Sequence, residues 1–291
     1  MSRSEPDLPD NTLREIEATA VGLARLAGAE IINALGTILT IRYKGLTPQA
    51  ETFQDPVSEV DHHVEGLIRA RLAERFADHS IIGEEINESP VGSSDFVWAI
   101  DPIDGTTNFI NGFPLFAASI GVLYKGCPVV GALWCSTGHK LRPGVYHARV
   151  GARLHFDEQP IEIKANPSVR RRLAGEPDSA SNPSFPWETR RTGSAAIECA
   201  FVAAGLLRVA RFVSPYVWDV AGGLALVRAA GGEIRTRSGG DWQSMVDFLP
   251  AGSDTSHDQQ LRAWRQPLIV GERDAVDVVC RLFAETGSGC R

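Results

Sequence analysis

Apolar side chains recur at three- and four-residue intervals between residues 11 and 35, at Leu13, Ile16, Ala20, Leu23, Ala24, Ala27, Ile31 and Leu35. That spacing predicts an amphipathic helix. A second helical period, Val64, Leu67, Ile68, Leu72 and Phe76, follows residues 55–61 and ends near His79. Between the two, 38–43 reads as a strand and 45–54 as a loop. The pattern then changes to short apolar runs at 80–82, 96–100, 115–124 and 128–136, which suit buried strands. The last two flank Lys125-Gly126, so a hairpin is predicted there. Residues 145–150 and 161–163 extend the same sheet, and 88–95 forms a loop.

From 166 to 186 the chain is rich in Pro, Ser and Arg. No regular element is predicted after Leu173, which makes this the natural linker between halves. Beyond it, helices at 193–205, 217–230 and 272–283 alternate with strands at 206–212, 232–235 and 268–270, and 254–260 reads as a polar surface loop. The expected organisation is a polar tail (1–10), an α+β half (11–165), the linker-like stretch (166–186) and an α/β half (187–291).

Composition narrows the classes. The 291 residues are 43% hydrophobic and 22% charged, ordinary for a globular chain able to bury a sizeable core. A net charge of −7 argues against a nucleic-acid or membrane surface. No apolar run approaches the ~20 residues needed to span a bilayer. The polar start, with Pro6 and Pro9, does not resemble a signal peptide. Five cysteines, odd in number and without a Cys-x-x-Cys pair, predict buried thiols and a reducing, cytoplasmic setting.

The chemistry concentrates in Trp98-Ala99-Ile100-Asp101-Pro102-Ile103-Asp104-Gly105-Thr106-Thr107-Asn108-Phe109. Asp101 and Asp104 project from a strand end and the turn after it, with Pro102 restricting the backbone between them. Hard oxygen donors followed at once by helix-start amides describe a place for a divalent cation beside a phosphate. Asp-Gly is also an ordinary turn, and this stretch alone leaves both readings open. Gly83-Glu84-Glu85, after another short strand, and Trp218-Asp219-Val220-Ala221-Gly222-Gly223, opening an apolar helix, add further acids.

These three motifs, in this order, resemble the inositol monophosphatase family of the magnesium-dependent, lithium-sensitive phosphatases, from about Leu13 to about Ala284. The resemblance implies layered α/β architecture of the inositol monophosphatase and fructose-1,6-bisphosphatase type, with alternating helix and sheet layers. A mainly antiparallel sheet would lie in the first half, and the site between the halves. It implies two or three Mg²⁺ ions, a first held by Glu84, Asp101 and the Ile103 carbonyl and a second by Asp101, Asp104 and Asp219. Thr106 would activate a water with Asp61, which lies in Asp55-Pro56-Val57-Ser58-Glu59-Val60-Asp61, a stretch similar to the family's Asp-Leu-Val-Thr-x-x-Asp. Glu84 would share in catalysis. The phosphate would rest on Gly105 and Thr106, and Gly193, Ser194 and Ala195 would meet the substrate's hydroxyls.

Helix capping explains Asp61, Asp219 and Ser194 as well. His62, His63 and Arg170-Arg171-Arg172 read as solvated surface, and Trp98 and Trp218 as packing. Glu85 would serve a third, weaker metal or lie outside the ligand shell.

The implied substrate is a small phosphorylated polyol or sugar, and the implied assembly a homodimer. Fructose 1,6-bisphosphate, histidinol phosphate and nucleotide 3′-phosphates are rival substrates, and binding to the transcription machinery is a rival role. Two departures stand out. Where inositol-specific members carry a glutamate before the Trp-Asp motif this chain has Phe212, with Arg208 and Arg211 nearby as candidates for a second phosphate. The family's active-site lysine has only Lys44 as a counterpart.

Overall fold

The computed structural model describes residues 8–37, 39–43, 56–88, 94–163, 166–176, 186–237, 239–249 and 257–284. Lys44, Cys290 and the polar start up to Asp7 lie outside them. The first helical period forms α1 (Asp10–Ala34), which buries Leu13, Ile16, Ala20, Leu23, Ala24, Ala27 and Ile31. Two short strands, β1 (Ile41–Tyr43) and β2 (Pro56–Ser58), pair antiparallel and lead into α2 (Glu59–Arg75). Asp10, expected in the tail, is already helical and accepts hydrogen bonds from Arg149.

The apolar runs form a seven-stranded sheet: β3 (Ser80–Gly83), β4 (Phe96–Asp104), β5 (Ala117–Tyr124), β6 (Cys127–Cys135), β7 (Gly144–Arg149), β8 (His155–Phe156) and β9 (Gln159–Pro160), in chain order across the sheet. The β3–β4 pair is parallel and the rest antiparallel. The sheet ends at β9, so residues 161–163, expected as a strand, are not one. Between β4 and β5 lies the short helix α3 (Thr106–Ile110).

A six-stranded sheet follows, built from β10 (Leu173–Gly175), β11 (Glu188–Arg190), β12 (Val209–Phe212), β13 (Glu233–Thr236), β14 (Gln243–Ser244) and β15 (Leu268–Gly271). Its order is β11-β10-β12-β15-β13-β14. Residues 173–175, inside the expected linker, are thus a strand of this sheet. The helices are α4 (Ala195–Ala203), α5 (Val217–Ala229), α6 (His257–Ala263) and α7 (Arg273–Ala284). Residues 257–260, expected as loop, open α6. They are polar because the helix buries only Leu261, which leaves almost no apolar period to read.

Five layers result. Helices α1 and α2 cover the outer face of the first sheet around Ile16, Ile68, Leu72, Trp98 and Ile100. Helices α4 and α5 fill the space between the sheets with Cys199, Val220, Leu224 and Phe212. Helix α7 closes the far face through Val276 and Val279. Gly222 lets α5 lie directly on β5 and β6: a Cβ there would fall 2.9 Å from the Ile120 carbonyl oxygen. That close approach carries the first turn of α5, with Asp219, to the end of β4.

Candidate active site

In a regular strand, residues three apart point to opposite faces. Asp101 and Asp104 share one because the β4–β5 register shifts between them, a bulge at Pro102–Ile103 that reverses the alternation. The main chain then turns through Gly105, whose φ of +91° favours glycine. A Cβ at Gly105 would press on the carbonyls of Gly193 and Leu115, at 3.1 and 3.2 Å.

Each aspartate is anchored through one oxygen to a main-chain amide. Ile103 N donates to Asp101 Oδ1 at 3.0 Å, and Tyr216 N donates to Asp219 Oδ2 at 2.8 Å. Ala196 N donates to Asp104 Oδ2 at 2.7 Å, where the Ser194 hydroxyl donates as well. Among the described residues, Asp101 Oδ2 and Asp219 Oδ1 receive no hydrogen bond. Glu84 joins them from the end of β3, its N–H donating to the Ile100 carbonyl at 3.3 Å.

Beneath it, buried Glu65 accepts the amides of Glu85 (2.8 Å) and Ile86 (3.2 Å) and Arg69 Nε (2.8 Å). Arg262 of α6 donates to the Gly83 carbonyl at 3.1 Å. The turn that carries Glu84 is therefore clamped from α2 and α6.

These acids line one cavity of about 440 Å³, shared by Ile103, Gly105, Thr106, Thr107, Gly193, Ala195, residues 213–216 and Arg265. No histidine or cysteine is among the lining residues. Among the described residues no three His, Cys, Asp or Glu side chains close into a ready metal cage. The acids stand instead around the cavity wall and act on one another.

Burial, then the charge of Glu84, Asp104 and Asp219, pushes the Asp101 carboxyl well above the usual range. Asp219 rises well above it through burial and then Asp104 and Glu84. Asp104 is pushed up to about 7, chiefly by burial, against the lowering effect of its Ser194 and Ala196 hydrogen bonds. The cavity is a concentration of negative charge that a cation would relieve.

Beside it, Asp61 is buried. It caps α2, its Oδ2 accepting Ser58 N (2.8 Å) and Ser58 Oγ (2.5 Å), while Thr106 Oγ1 lies 3.2 Å from Oδ1 and 2.9 Å from the Ile103 carbonyl. Burial raises its carboxyl pKa, against the lowering effect of Ser58.

The C-terminal wall differs from expectation. The Ser194 amide donates to Thr192 Oγ1 and its hydroxyl to Asp104, so this residue supports an acid rather than facing the cavity. Phe212 is buried between the sheets, and Val213, Ser214, Pro215 and Tyr216 line the cavity in its stead. Arg208 pairs with Glu272 and Asp274, and Arg211 with Glu176, and neither is a lining residue. Arg265, which sequence reasoning missed, is the one cation lining the cavity among the described residues. His62 and His63 are exposed, near Glu85 and Glu30, while Trp98 is buried and donates to His79 Nδ1 at 3.0 Å.

The profile described as the inositol monophosphatase family matches residues 12–268. An inositol-1-monophosphatase of Synechocystis sp. is 33% identical over 72% of this chain and 74% of its own. The chloroplastic phosphatase IMPL1 of Arabidopsis thaliana is 32% identical over 76% of this chain, which spans only 62% of that protein's length. More distant relatives, each 29% identical, include a fructose-1,6-bisphosphatase/inositol-1-monophosphatase of Aquifex aeolicus and a putative Nus factor SuhB of Neisseria meningitidis. The crystal structure of extragenic suppressor protein suhB from Bartonella henselae shares the fold, with a TM-score of 0.72 at 23% identity over 94% of this chain and all of that one. The chain therefore belongs to the inositol monophosphatase family, a family of phosphate-monoester phosphatases.

Proposed function

We propose that this protein is a Mg²⁺-dependent phosphatase that hydrolyses the phosphate monoester of a small polyol or sugar. The observation that carries the reading is the meeting of Glu84, Asp101, Asp104 and Asp219, from three separate parts of the chain, on one cavity wall. The donor set fits the ion: all four acids are hard oxygen donors, and the fixed aspartates keep oxygens that no protein donor engages. On this reading those four residues and the Ile103 carbonyl hold the metal. When bound, magnesium supplies positive charge to the phosphoryl oxygens and makes a nearby water more acidic.

The remaining steps belong to the chain. Gly105 and Thr106, at the turn into α3, receive the phosphate. The Thr106 hydroxyl, held by Asp61 Oδ1 and the Ile103 carbonyl, orients the attacking water. Asp61 takes up the proton that Thr106 relays, a role suited to a carboxyl whose pKa is raised by burial. Gly193 and Ala195 line the cavity beside Gly105 and Asp104, where they meet the hydroxyls of the substrate.

The test is phosphate release from inositol, fructose, histidinol and adenosine phosphates, each with Mg²⁺, with Li⁺ added and after chelation. Release from at least one substrate, abolished by chelation and reduced ~10³-fold or more in Asp104→Asn, supports the assignment. A protein inert toward all four with Mg²⁺ present would overturn it. The relatives named as Nus factors favour a second reading, a binding partner of the transcription machinery. That association would survive Asp104→Asn.

A further inference from the structure

Among the described residues the cavity has an acidic side and one cationic group, and the way that group is held bears on its use. Arg265 lies between α6 and β15 with its guanidinium 3.3 Å from the centroid of the Tyr216 ring. Tyr216 in turn stacks on Trp218, with centroids 4.5 Å apart and planes 15° from parallel. Trp218 is buried and precedes Asp219 at the start of α5, so the stack is founded on the same turn that carries an acid of the site.

Stacking engages the face of a guanidinium and leaves its five in-plane N–H donors for other partners. Among the described residues Arg265 makes no ion pair and no hydrogen bond. Other arginines of this half of the chain are treated differently. Arg208 is paired with two acids, Arg211 with Glu176, and Arg228 donates to the carbonyls of Met245 and Val246.

A forked donor held by an aromatic face, its charge felt by the Asp219 carboxyl but its N–H groups bonded to no described carboxylate, matches the geometry of phosphate and carboxylate oxygens. Among the described residues Phe212 is buried, and Val213, Ser214 and Pro215 bring no charge to this wall.

We infer that Arg265 determines specificity, and that the substrate carries a second anionic group, phosphate or carboxylate, on the part of the molecule away from the scissile phosphate. The inference rests on the phosphatase reading above and adds the substrate class. Tyr216 is a positioning residue: it holds the guanidinium at the wall.

The experiment is equilibrium binding to the full chain, with Ca²⁺ in place of Mg²⁺ to slow turnover, and with two matched pairs of probes. Fructose 1,6-bisphosphate against fructose 1-phosphate tests a second phosphate; 3-phosphoglycerate against glycerol 3-phosphate tests a carboxylate. The doubly charged member of at least one pair binds ~10- to 100-fold more tightly, as expected for a charge-assisted bidentate contact. Arg265→Gln removes that preference, and Arg265→Lys keeps only part of it because the ammonium lacks the fork. Tyr216→Phe retains the preference and Tyr216→Leu reduces it.

If the wild type shows no preference in either pair, or Arg265→Gln weakens both members of a pair equally, the inference is overturned. Phosphate release measured on the same four compounds with Mg²⁺ separates the two claims. Absence of release from all four counts against the phosphatase, while the binding preference decides the role of Arg265 by itself.

Discussion

The two sides of the cavity are built by different means. On the acidic side every aspartate is held by an amide of its own neighbourhood or of an adjoining helix: Asp101 by Ile103, Asp219 by Tyr216, Asp61 by Ser58 and Asp104 by Ala196. Asp61, Asp101 and Asp104 are buried, and their charges are set against one another. On the rim Val213, Ser214 and Arg265 are exposed, and Arg265 rests on the face of an aromatic ring with no hydrogen bond from any described residue. The first side can change little without losing its backbone hydrogen bonds. The second can change freely, because a rim residue held by stacking leaves the fold intact when replaced. On the proposed reading, chemistry resides on the rigid side and selectivity on the adaptable one.

That contrast predicts graded losses. Asp61→Asn removes the acceptor of the relayed proton while leaving an amide to cap α2. Its kcat falls ~10²- to 10³-fold, and equally for substrates with one anionic group or two, which steady-state kinetics on paired substrates would check. Unequal losses would place Asp61 on the selective side and break the comparison. Arg265→Gln shows the reverse pattern, discriminating between the members of a pair.

A smaller loss is expected from Glu65→Gln. Its amide offers a single acceptor oxygen where the Glu85 and Ile86 amides and Arg69 Nε now share two. Glu84 is then less firmly placed, and Mg²⁺ affinity measured by titration calorimetry drops ~10-fold. Unchanged affinity would show that the Glu85 turn is held sufficiently by Arg262 and β4.

The acidic side was legible because its signals are local. A run of apolar residues marks β4, and Pro102 with Asp104-Gly105 marks the turn beyond it. Gly222 follows Asp219 closely enough to be read as one motif. The bulge that brings Asp101 and Asp104 to one face could not be read, since it depends on pairing with β5.

The selective side was mostly illegible. Arg265 and Tyr216 are far apart in the chain and meet only because β15 pairs beside β12, whose end feeds into α5. Arg208 and Arg211 were nominated on proximity in sequence, yet they pair with acids elsewhere on the second sheet. The fold shows the same division. Long buried runs gave β5 and β6 almost to the residue. Two- and three-residue strands such as β8, β9, β10 and β14 carry too few side chains for any period to emerge.

The claim beneath all of this is that the acidic side is built to be neutralised by a divalent cation. Thermal unfolding with Mg²⁺ and with chelator, compared across pH, tests it most directly. In the metal-free protein the carboxyls of Asp101, Asp104 and Asp219 titrate above their unfolded value of ~3.9, Asp104 at about 7. Their contribution to stability is therefore full below about pH 4 and is lost as the pH rises through their raised pKa values, about 7 for Asp104. Bound Mg²⁺ removes that penalty. The account predicts that Mg²⁺ raises Tm little at pH 5 and by ~5 °C or more at pH 8. A Tm that Mg²⁺ leaves unchanged at both pH values, or raises equally at both, would contradict it.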